Sequence, residues 1–358
     1  MRITSLDAIP YALGFKNPYV TARGRLERRE LVLVRLRTDQ GIEGFGEAVP
    51  LSLRGGPDVS SIEREIRRIA ERGFMEVEPA DGEAIAGAIP KELGNETRAA
   101  IEMALLDLAA KRAGVSAWSL LGAESAEPIP CNATLAAGLP DAVAQDAGRW
   151  AERGFSTFKL KVGVPGDLAQ VKAVRDAVGP DARIRVDANG VWSPGQALER
   201  LTAMEPFGLE LAEQPSSDLA DLRLVSQGTA IPIAADESVV SVDDAERAVE
   251  LGACDLTTAK LAKVGGIAAA RSIAAVLPVY LSSALDGPVG IAAAAHAAQV
   301  LPREGIWTEL AHGLATQLLF ADTIASAECE VRNGFLRLPD GPGLGVEIDE
   351  RALERHRL

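Results

Sequence analysis

The chain has 358 residues, of which 47% are hydrophobic, so it is long enough for a barrel-sized core and a smaller second domain. Its formal net charge of −14 argues against nucleic acids and anionic membrane surfaces as partners. The three cysteines (Cys131, Cys254, Cys329) lie far apart and outside any CxxC pattern, which indicates reduced thiols and argues against a disulfide framework or a zinc site.

The N-terminal region, residues 1–125, predicts a separate α+β capping domain. Its start, MRITSLDAIPYAL, lacks the charged residues and long apolar run of a signal peptide, so we expect a cytoplasmic protein. Residues 1–55 predict antiparallel strands, two of them around a turn at Thr38–Gly41. Helices are predicted at 60–76 and 81–123, and the strongest helical pattern is ETRAAIEMALLDLAAKRAG, which Gly114 is placed to end. Strands followed by helices without alternation are typical of an α+β unit.

From Pro128 onward, strands and helices alternate. Eight strands are predicted, at 129–134, 157–162, 182–187, 208–213, 231–236, 254–260, 278–283 and 304–309. Between them the pattern predicts helices at 140–153, 167–178, 194–204, 218–227, 242–252, 265–275 and 286–300. Right-handed crossovers would close these units into a barrel, which we assign to residues 126–320. Residues 321–358 form a C-terminal segment that we expect to return toward the cap.

Three carboxylates and two lysines recur at the ends of the barrel strands. The positions are separated by 26, 26, 23 and 24 residues, close to the length of one strand, one helix and two loops: Lys161, Asp187, Glu213, Asp236 and Lys260. Strands repeated in this way all end on the same side of a barrel, which is the side where barrel enzymes carry their chemistry. A single acid at a strand end more often caps a helix or pairs with a lysine, but three in register favour a functional site.

The three acids are candidate metal ligands. They end the third, fourth and fifth strands, and neighbouring strands lie about 4.8 Å apart, so the carboxylates can converge on one ion. An all-oxygen set without nearby His or Cys favours Mg²⁺ first and Mn²⁺ second.

The lysines are candidates for proton transfer. Lys159 and Lys161 are two residues apart on one strand and therefore point to the same face. Their mutual repulsion is expected to lower one pKa, which would make Lys161 the base and Lys159 its modulator. Lys260 ends the sixth strand, diametrically opposite the second, so the two amines could flank a planar intermediate. Removing a proton beside a carboxylate creates an enediolate, which a divalent ion and a cationic amine would stabilise. For any one lysine the alternative is a solvated surface charge.

Taken together, these motifs resemble the enolase superfamily, in its muconate-lactonizing-enzyme-like branch. The resemblance covers nearly the whole chain and rests on RAAIEMALLDLAAKRAG, KLK, RVDAN, EQP, ADES and AKLAKVGG. It implies an α/β fold with a modified (β/α)₇β TIM-type barrel, capped by the N-terminal α+β domain and completed by the C-terminal tail. It also implies Mg²⁺ held by Asp187, Glu213 and Asp236, with Lys161 and Lys260 as the acid/base pair.

Within this branch, four stretches are similar to the actinobacterial-type o-succinylbenzoate synthases: PIAADES, AKLAKVGGIAAARSIA, VYLSSALDGPVGIAAAAHAAQVLP and HGLAT. Those carbon–oxygen lyases dehydrate 2-succinyl-6-hydroxy-2,4-cyclohexadiene-1-carboxylate in menaquinone biosynthesis. The similarity implies that Lys161 abstracts the α-proton and that Lys260 stabilises the enediolate over its face. The expected partner is a small-molecule carboxylate substrate, without nucleic acid or membrane, and assembly as a homo-oligomer is left open.

Other reactions of the superfamily remain alternatives: N-acylamino-acid racemase, dipeptide epimerase and muconate-type cycloisomerase. The full cap with its long first loop is a feature of racemising and lactonizing relatives. Dipeptide epimerases carry an Asp-x-Asp near the eighth strand that holds the substrate amine. This chain has TELAHGLAT there instead, which argues against the epimerase alternative. A Schiff-base aldolase, which needs no carboxylate triad, and a non-catalytic binding protein are the alternatives from other classes.

A basic cluster at residues 15–30 could act as a lid. It offers Arg23 and Arg25 as candidate contacts to a second substrate carboxylate, although a solvated hairpin is the alternative. His296 is expected to be structural, and His312 to cap a helix, with contact to the substrate as the alternative for His312. Further candidate substrate contacts at the barrel mouth are Asn132, Asn189, Ser282 and Ser283.

Overall fold

The cap is built on a three-stranded antiparallel sheet. The computed structural model describes residues 1–51, 55–71, 82–302 and 309–358. The strands β1 (Ile3–Thr21), β2 (Gly24–Thr38) and β3 (Glu43–Ala48) lie in the order β1-β2-β3. The turn predicted at Thr38–Gly41 is present, since the Gly41 N–H donates to the Thr38 carbonyl at 3.1 Å.

Four helices follow the sheet: α1 (Val59–Glu71), α2 (Gly82–Ala88), α3 (Asn95–Ala113) and α4 (Ala117–Leu120). The helix α3 packs closely on β3, because a Cβ on Gly46 would lie only 1.8 Å from the Ala100 carbonyl oxygen. Gly114 ends α3 with a φ of 70°, as predicted. The region predicted to be helical, 81–123, contains α2, α3 and α4 as separate helices among the described residues, and α3 is the one with the strongest helical pattern. Residues 72–76 of the other predicted helix lie outside the described residues.

Among the described residues, the barrel contains seven parallel strands in one sheet, in the order β11-β10-β9-β8-β7-β6-β5. The register pairs Lys161 with Asp187 and Asp187 with Glu213, which sets the charged side chains at the same level. The strands are β5 (Ala133–Leu135), β6 (Thr157–Lys161), β7 (Arg183–Asp187), β8 (Leu209–Glu213), β9 (Ile233–Ala235), β10 (Leu256–Ala259) and β11 (Val279–Leu281).

Helices alternate with these strands as predicted. They are α5 (Pro140–Glu152), α6 (Asp167–Val178), α7 (Pro194–Met204), α8 (Leu219–Ser226), α9 (Val242–Leu251), α10 (Leu261–Val264), α11 (Ile267–Ala274) and α12 (Pro288–Ala298). The single turn α10, directly after Lys260, was not predicted. No helix in the described ranges combines the length and the apolar character needed to cross a bilayer.

The two ends of the predicted barrel differ from the expectation. The predicted first strand, 129–134, is split: β4 (Ile129–Pro130) pairs with the C-terminal tail, and only β5 belongs to the barrel. Most of the predicted eighth strand, 304–309, lies outside the described residues, and residue 309 is in a turn. The residues that join the two edges are His312, bridged to Cys131, and Gly313, bridged to Ser282.

The C-terminal tail returns to the cap. Bridges join Phe320 to Phe15 and Arg357 to Tyr11 of β1. The tail contains β12 (Ala325–Ala327), β13 (Glu330–Arg332), β14 (Phe335–Arg337), β15 (Glu347–Ile348) and α13 (Glu350–His356). The cap sheet is thereby held over the carboxyl ends of the barrel strands.

Candidate active site

The structure brings the predicted acids and lysines together at the carboxyl ends of the barrel strands. The Lys161 Nζ lies 2.5 Å from the Asp187 Oδ2, and the Lys159 Nζ lies 2.9 Å from the same oxygen. Lys159 also contacts the Glu213 Oε2 at 2.5 Å. On the opposite side, the Lys260 Nζ donates to the Asp236 Oδ2. Side chains from five consecutive strands, β6 to β10, therefore meet in one polar centre.

The polar centre is buried, and its charged groups shift one another's pKa values. Burial raises the pKa of Asp187, but Lys159 and Lys161 outweigh this effect and hold it far below its usual value. Burial and the charge of Asp187 raise the pKa of Glu213. Burial lowers the pKa of Lys161, but Asp187, Tyr19 and Glu213 together outweigh this effect, so the net shift is upward.

The expectation that repulsion lowers one lysine pKa was wrong in direction. Lys159 does lower the pKa of Lys161, but its effect ranks below that of Asp187. The pKa of Lys159 is itself raised well above its usual value, because Asp187 and Glu213 outweigh the cost of burial. Each lysine faces a carboxylate from a neighbouring strand, and that closer opposite charge dominates.

The acids match a hard divalent cation in chemistry, although lysines now occupy their oxygens. Within the described ranges, no three His, Cys, Asp or Glu side chains are grouped to hold an ion as they stand. The three carboxylates are nonetheless almost completely buried, and the Glu213 Oε1 has no hydrogen-bond partner in the part of the chain that the structure describes. Three buried carboxylates with one uncommitted oxygen suit Mg²⁺ or Mn²⁺. Ion binding would require Lys159 and Lys260 to give up carboxylate oxygens.

A cavity of about 780 Å³, including its open mouth, lies between this centre and the cap. The barrel contributes its three lysines, and the cap contributes apolar and basic side chains. The residues that line it include Lys159, Lys161, Lys260, Asn189, Ser282, Ser283, Thr134, Tyr19, Arg23, Leu26 and Arg29. No Asp or Glu is among the described residues that line it. The charged side chains in the described lining are therefore all cationic, and the carboxylates that pair with its three lysines are not part of that lining.

Four of the six predicted substrate contacts line the cavity: Arg23, Asn189, Ser282 and Ser283. The Arg23 guanidinium is bound to the Asn189 carbonyl, with N···O distances of 3.0 and 2.7 Å, and so links the cap hairpin to the barrel.

The other two predicted contacts do not line the cavity. Asn132 is fully buried, and its amide donates to the Thr134 Oγ1 at 3.2 Å, so Thr134 reaches the cavity instead. The Arg25 side chain is 59% exposed and pairs with Glu27 at 2.8 Å. The prediction for these two residues was wrong, because one lies below the cavity wall and the other points outward.

Two residues near the site were missed or left unassigned. Arg29, from the same basic cluster, is buried at the cavity wall, and its Nη2 donates to the Pro50 carbonyl at 2.6 Å. Tyr280 donates from its hydroxyl to the Glu213 Oε2 at 2.5 Å. Its spacing of two from Ser282 indicates the same inward face of the strand, and that signal could have identified it.

The remaining basic side chains have structural contacts. Lys263 is buried and donates to the Asp236 Oδ1 at 3.0 Å and to the Thr258 carbonyl at 2.9 Å. His296, expected to be structural, accepts from the Trp118 N–H at 3.0 Å. The expectation that His312 caps a helix was wrong, since its Nδ1 accepts from the Leu281 N–H, in a strand.

Comparison with known proteins shows similarity over both parts of the chain. Residues 8–122 match the family model described as mandelate racemase / muconate lactonizing enzyme, N-terminal domain, and residues 142–352 match enolase C-terminal domain-like. L-Ala-D/L-Glu epimerase of Bacillus subtilis is 34% identical, with 97% of each chain covered. The o-succinylbenzoate synthase of Geobacillus stearothermophilus is 31% identical, covering 96% of this chain and 93% of the relative.

Solved structures give the same picture. Muconate lactonizing enzyme from Pseudomonas fluorescens, complexed with muconolactone, matches with a TM-score of 0.93 and 31% identity, covering 100% of this chain and 99% of that chain. Dipeptide epimerase from Cytophaga hutchinsonii, complexed with Mg and the dipeptide D-Ala-L-Val, matches with a TM-score of 0.90 and 28% identity, covering 99% and 98%. These similarities extend over several different reactions.

Proposed function

This chain is an enzyme of the enolase superfamily, in its muconate-lactonizing-enzyme-like branch, and from that premise we propose that it is a Mg²⁺-dependent o-succinylbenzoate synthase. Its reaction would be the dehydration of 2-succinyl-6-hydroxy-2,4-cyclohexadiene-1-carboxylate. The first step would remove the proton beside the ring carboxylate and form an enediolate. The relatives that share this fold include a synthase, epimerases and cycloisomerases. The residues that line the cavity are therefore the basis on which we choose between these reactions.

The observation that carries this proposal is that every charged side chain in the described cavity lining is a cation. Lys159, Lys161, Lys260, Arg23 and Arg29 line the cavity, and no carboxylate is among the described lining residues. A dipeptide carries an ammonium group, whose burial without an opposite charge is costly. The cyclohexadiene substrate instead carries two carboxylates and no amine. A cationic wall therefore favours the dicarboxylate over the dipeptide.

Arg29 is the residue that we assign to the second carboxylate, in place of Arg25. It extends from β2 of the cap and is only 7% exposed, so its guanidinium is a fixed charge at the cavity wall. A buried guanidinium can form paired, charge-assisted hydrogen bonds with a carboxylate. Arg23 also lines the cavity; its guanidinium bonds the Asn189 carbonyl, and that of Arg29 bonds the Pro50 carbonyl. Recognition of the succinyl chain would then come from the cap and chemistry from the barrel.

In the proposed chemistry, Lys161 and Lys260 act from opposite sides of the barrel. Lys161, on β6, would take the α-proton as a neutral amine, after giving up its own proton and its ion pair with Asp187. Lys260, after β10, would place its ammonium against the opposite face of the resulting anion. When the enediolate collapses, its electron pair forms the new ring double bond as the C–O bond to the hydroxyl breaks. The Lys161 ammonium would return its proton to that hydroxyl, which leaves as water. A divalent cation held by Asp187, Glu213 and Asp236 would supply the positive charge that offsets these carboxylates and the charge developing on the substrate.

The cap would shield the reacting carbon from water. Tyr19 and Leu26, from β1 and β2, line the cavity. Exclusion of water strengthens each electrostatic interaction inside the cavity.

Dipeptide epimerisation is the second candidate function. It is favoured by the identity of 33–34% to two L-Ala-D/L-Glu epimerases, and its first step is the same proton removal. A panel of substrates separates the two functions. The purified protein would be incubated with Mg²⁺ and, in turn, the cyclohexadiene, L-Ala-D-Glu, an N-succinylamino acid and muconate. We expect loss of water from the cyclohexadiene, abolished by EDTA and restored by Mg²⁺. Preferential epimerisation of the dipeptide would overturn the proposal, and borohydride trapping of substrate with activity in EDTA would point to a Schiff-base enzyme.

A further inference from the structure

Tyr280 forms a hydrogen bond through the interior of the barrel with Glu213, a proposed metal ligand. It lies in the middle of β11, is completely buried, and packs with an apolar layer made of Leu211, Ala234, Leu256 and Leu310. Its hydroxyl donates to the Glu213 Oε2 at 2.5 Å. Glu213 ends β8, three positions away in the order of the sheet, so this hydrogen bond joins distant parts of the barrel wall.

The ring of Tyr280 contacts the guanidinium of Arg185 in addition to the apolar layer. The guanidinium carbon of Arg185 lies 4.8 Å from the ring centroid, within the range of a cation–π contact. Arg185 is itself fixed, because its Nε contacts the Glu210 Oε2 at 2.5 Å and its Nη1 donates to the Ala311 carbonyl at 2.7 Å. The hydroxyl therefore has a defined position relative to Glu213.

The two oxygens of Glu213 have different surroundings. The Oε2 accepts from both Tyr280 and Lys159, each at 2.5 Å. The Oε1 is buried and has no hydrogen-bond partner among the described residues. One oxygen thus fixes the orientation of the carboxylate, and the other is left for a ligand.

On this geometry we propose that Tyr280 is a positioning residue that orients Glu213 for binding of the divalent cation, an inference that rests on the proposed function. Lys159 alone would orient Glu213 less specifically, because its Nζ is shared with the Asp187 Oδ2 at 2.9 Å. An ammonium group also repels a metal ion, whereas a hydroxyl donates a hydrogen bond without adding a charge. The side chains that support a metal ligand commonly affect metal affinity about 10–100-fold.

The test is the Tyr280→Phe variant, which removes the hydroxyl and keeps the ring. A matched control exists in Tyr11→Phe: Tyr11 is also fully buried and donates to a buried glutamate, Glu47 at 2.8 Å, in the cap. Binding of Mn²⁺ to the EDTA-treated full-length proteins would be measured by electron paramagnetic resonance and by calorimetry. We expect the Kd for Mn²⁺ to rise about tenfold or more in Tyr280→Phe and less than about twofold in Tyr11→Phe.

Activity gives a second readout that a purely structural role would not produce. In Tyr280→Phe, we expect the Mg²⁺ concentration for half-maximal activity to rise, with kcat recovering at saturating Mg²⁺. Thermal unfolding would show whether the variant is folded, and Tyr280→Met, which refills the apolar layer, would replace it if it is not.

The outcomes are distinguishable. Wild-type affinity for Mn²⁺ in folded Tyr280→Phe, with the parent protein binding the ion, would overturn this inference alone. Absence of Mn²⁺ binding by the parent protein would overturn the metal-dependent function and this inference with it.

Discussion

The Lys161 Nζ lies 2.5 Å from the Asp187 Oδ2, so the proposed base and a proposed metal ligand form an ion pair at the centre of the site. Both side chains are buried, and an isolated charge there would be strongly destabilising. Lys159, Lys260 and Lys263 contact the neighbouring carboxylates in the same way. The barrel can therefore bury three carboxylates close together because each is matched by an ammonium group.

Asp236 should be indispensable for metal binding. It has lysine partners on both oxygens, and the amide of Asp236→Asn would lose the negative charge that attracts a cation. We expect Mn²⁺ affinity to fall at least about 100-fold and turnover to be lost, with the protein still folded. The control is Asp167→Asn, at another buried acid that pairs with Arg200 at 2.8 Å outside the site. Unchanged turnover in Asp236→Asn would remove this residue from the metal centre.

Arg29 should govern affinity for the substrate and have little effect on the rate of the chemical step. In Arg29→Gln, loss of a charge-assisted contact of about 1.5–3 kcal/mol corresponds to a KM about 10–100-fold higher. We expect kcat to change much less. Arg25→Gln is the matched control, because Arg25 lies in the same strand but points into solvent beside Glu27. Steady-state kinetics would check this, and equal KM values for the two variants would contradict the assignment.

His296 should make the fold sensitive to acid. Its Nδ1 accepts from the Trp118 N–H, so its Nε2 carries the proton and donates to the Leu344 carbonyl at 3.2 Å. Burial lowers the pKa of His296 from 6.5 to about 4. Below pH 6.5 this histidine is protonated in the unfolded chain but stays neutral in the folded chain. The free energy of unfolding therefore falls as the pH is lowered toward 4.

By pH 4.5 this single group should reduce the free energy of unfolding by about 2–3 kcal/mol relative to pH 7. Burial also shifts the pKa of acids such as Asp107 and Asp286, so the comparison is between the parent protein and His296→Gln. Urea unfolding at several pH values would measure it, and we expect a shallower loss of stability in the variant. Parallel pH profiles for the two proteins would show that His296 does not contribute.

The regular part of the site could be predicted from the sequence. The spacing near 25 residues predicts that the acids and lysines end parallel strands, and the register of Lys161 with Asp187 and of Asp187 with Glu213 brings them to one level. The spacing of two between Lys159 and Lys161 predicts a shared face, and both side chains contact Asp187. These features depend only on the period of a strand and of a repeated strand–helix unit.

The parts that could not be predicted depend on contacts between elements. The pKa of Lys161 shifts upward because Asp187, on the neighbouring strand, faces it directly, and spacing along one strand does not measure that distance. The position of Arg29 depends on an irregular register in the cap hairpin, where Gly14 pairs with Arg28 but Tyr19 pairs with Leu26. Alternation along β2 therefore does not extend from Arg25 to Arg29.

The most direct test of the central claim, that Lys161 removes the α-proton, is its replacement by alanine. The parent protein and Lys161→Ala would be incubated in D₂O with Mg²⁺ and the cyclohexadiene, and the α-proton would be followed by ¹H NMR. We expect this signal to disappear with the parent protein, through dehydration or exchange, and to persist at least about 10²–10⁴-fold longer with folded Lys161→Ala. Loss of the α-proton at the same rate in both proteins would contradict the account and place the base elsewhere.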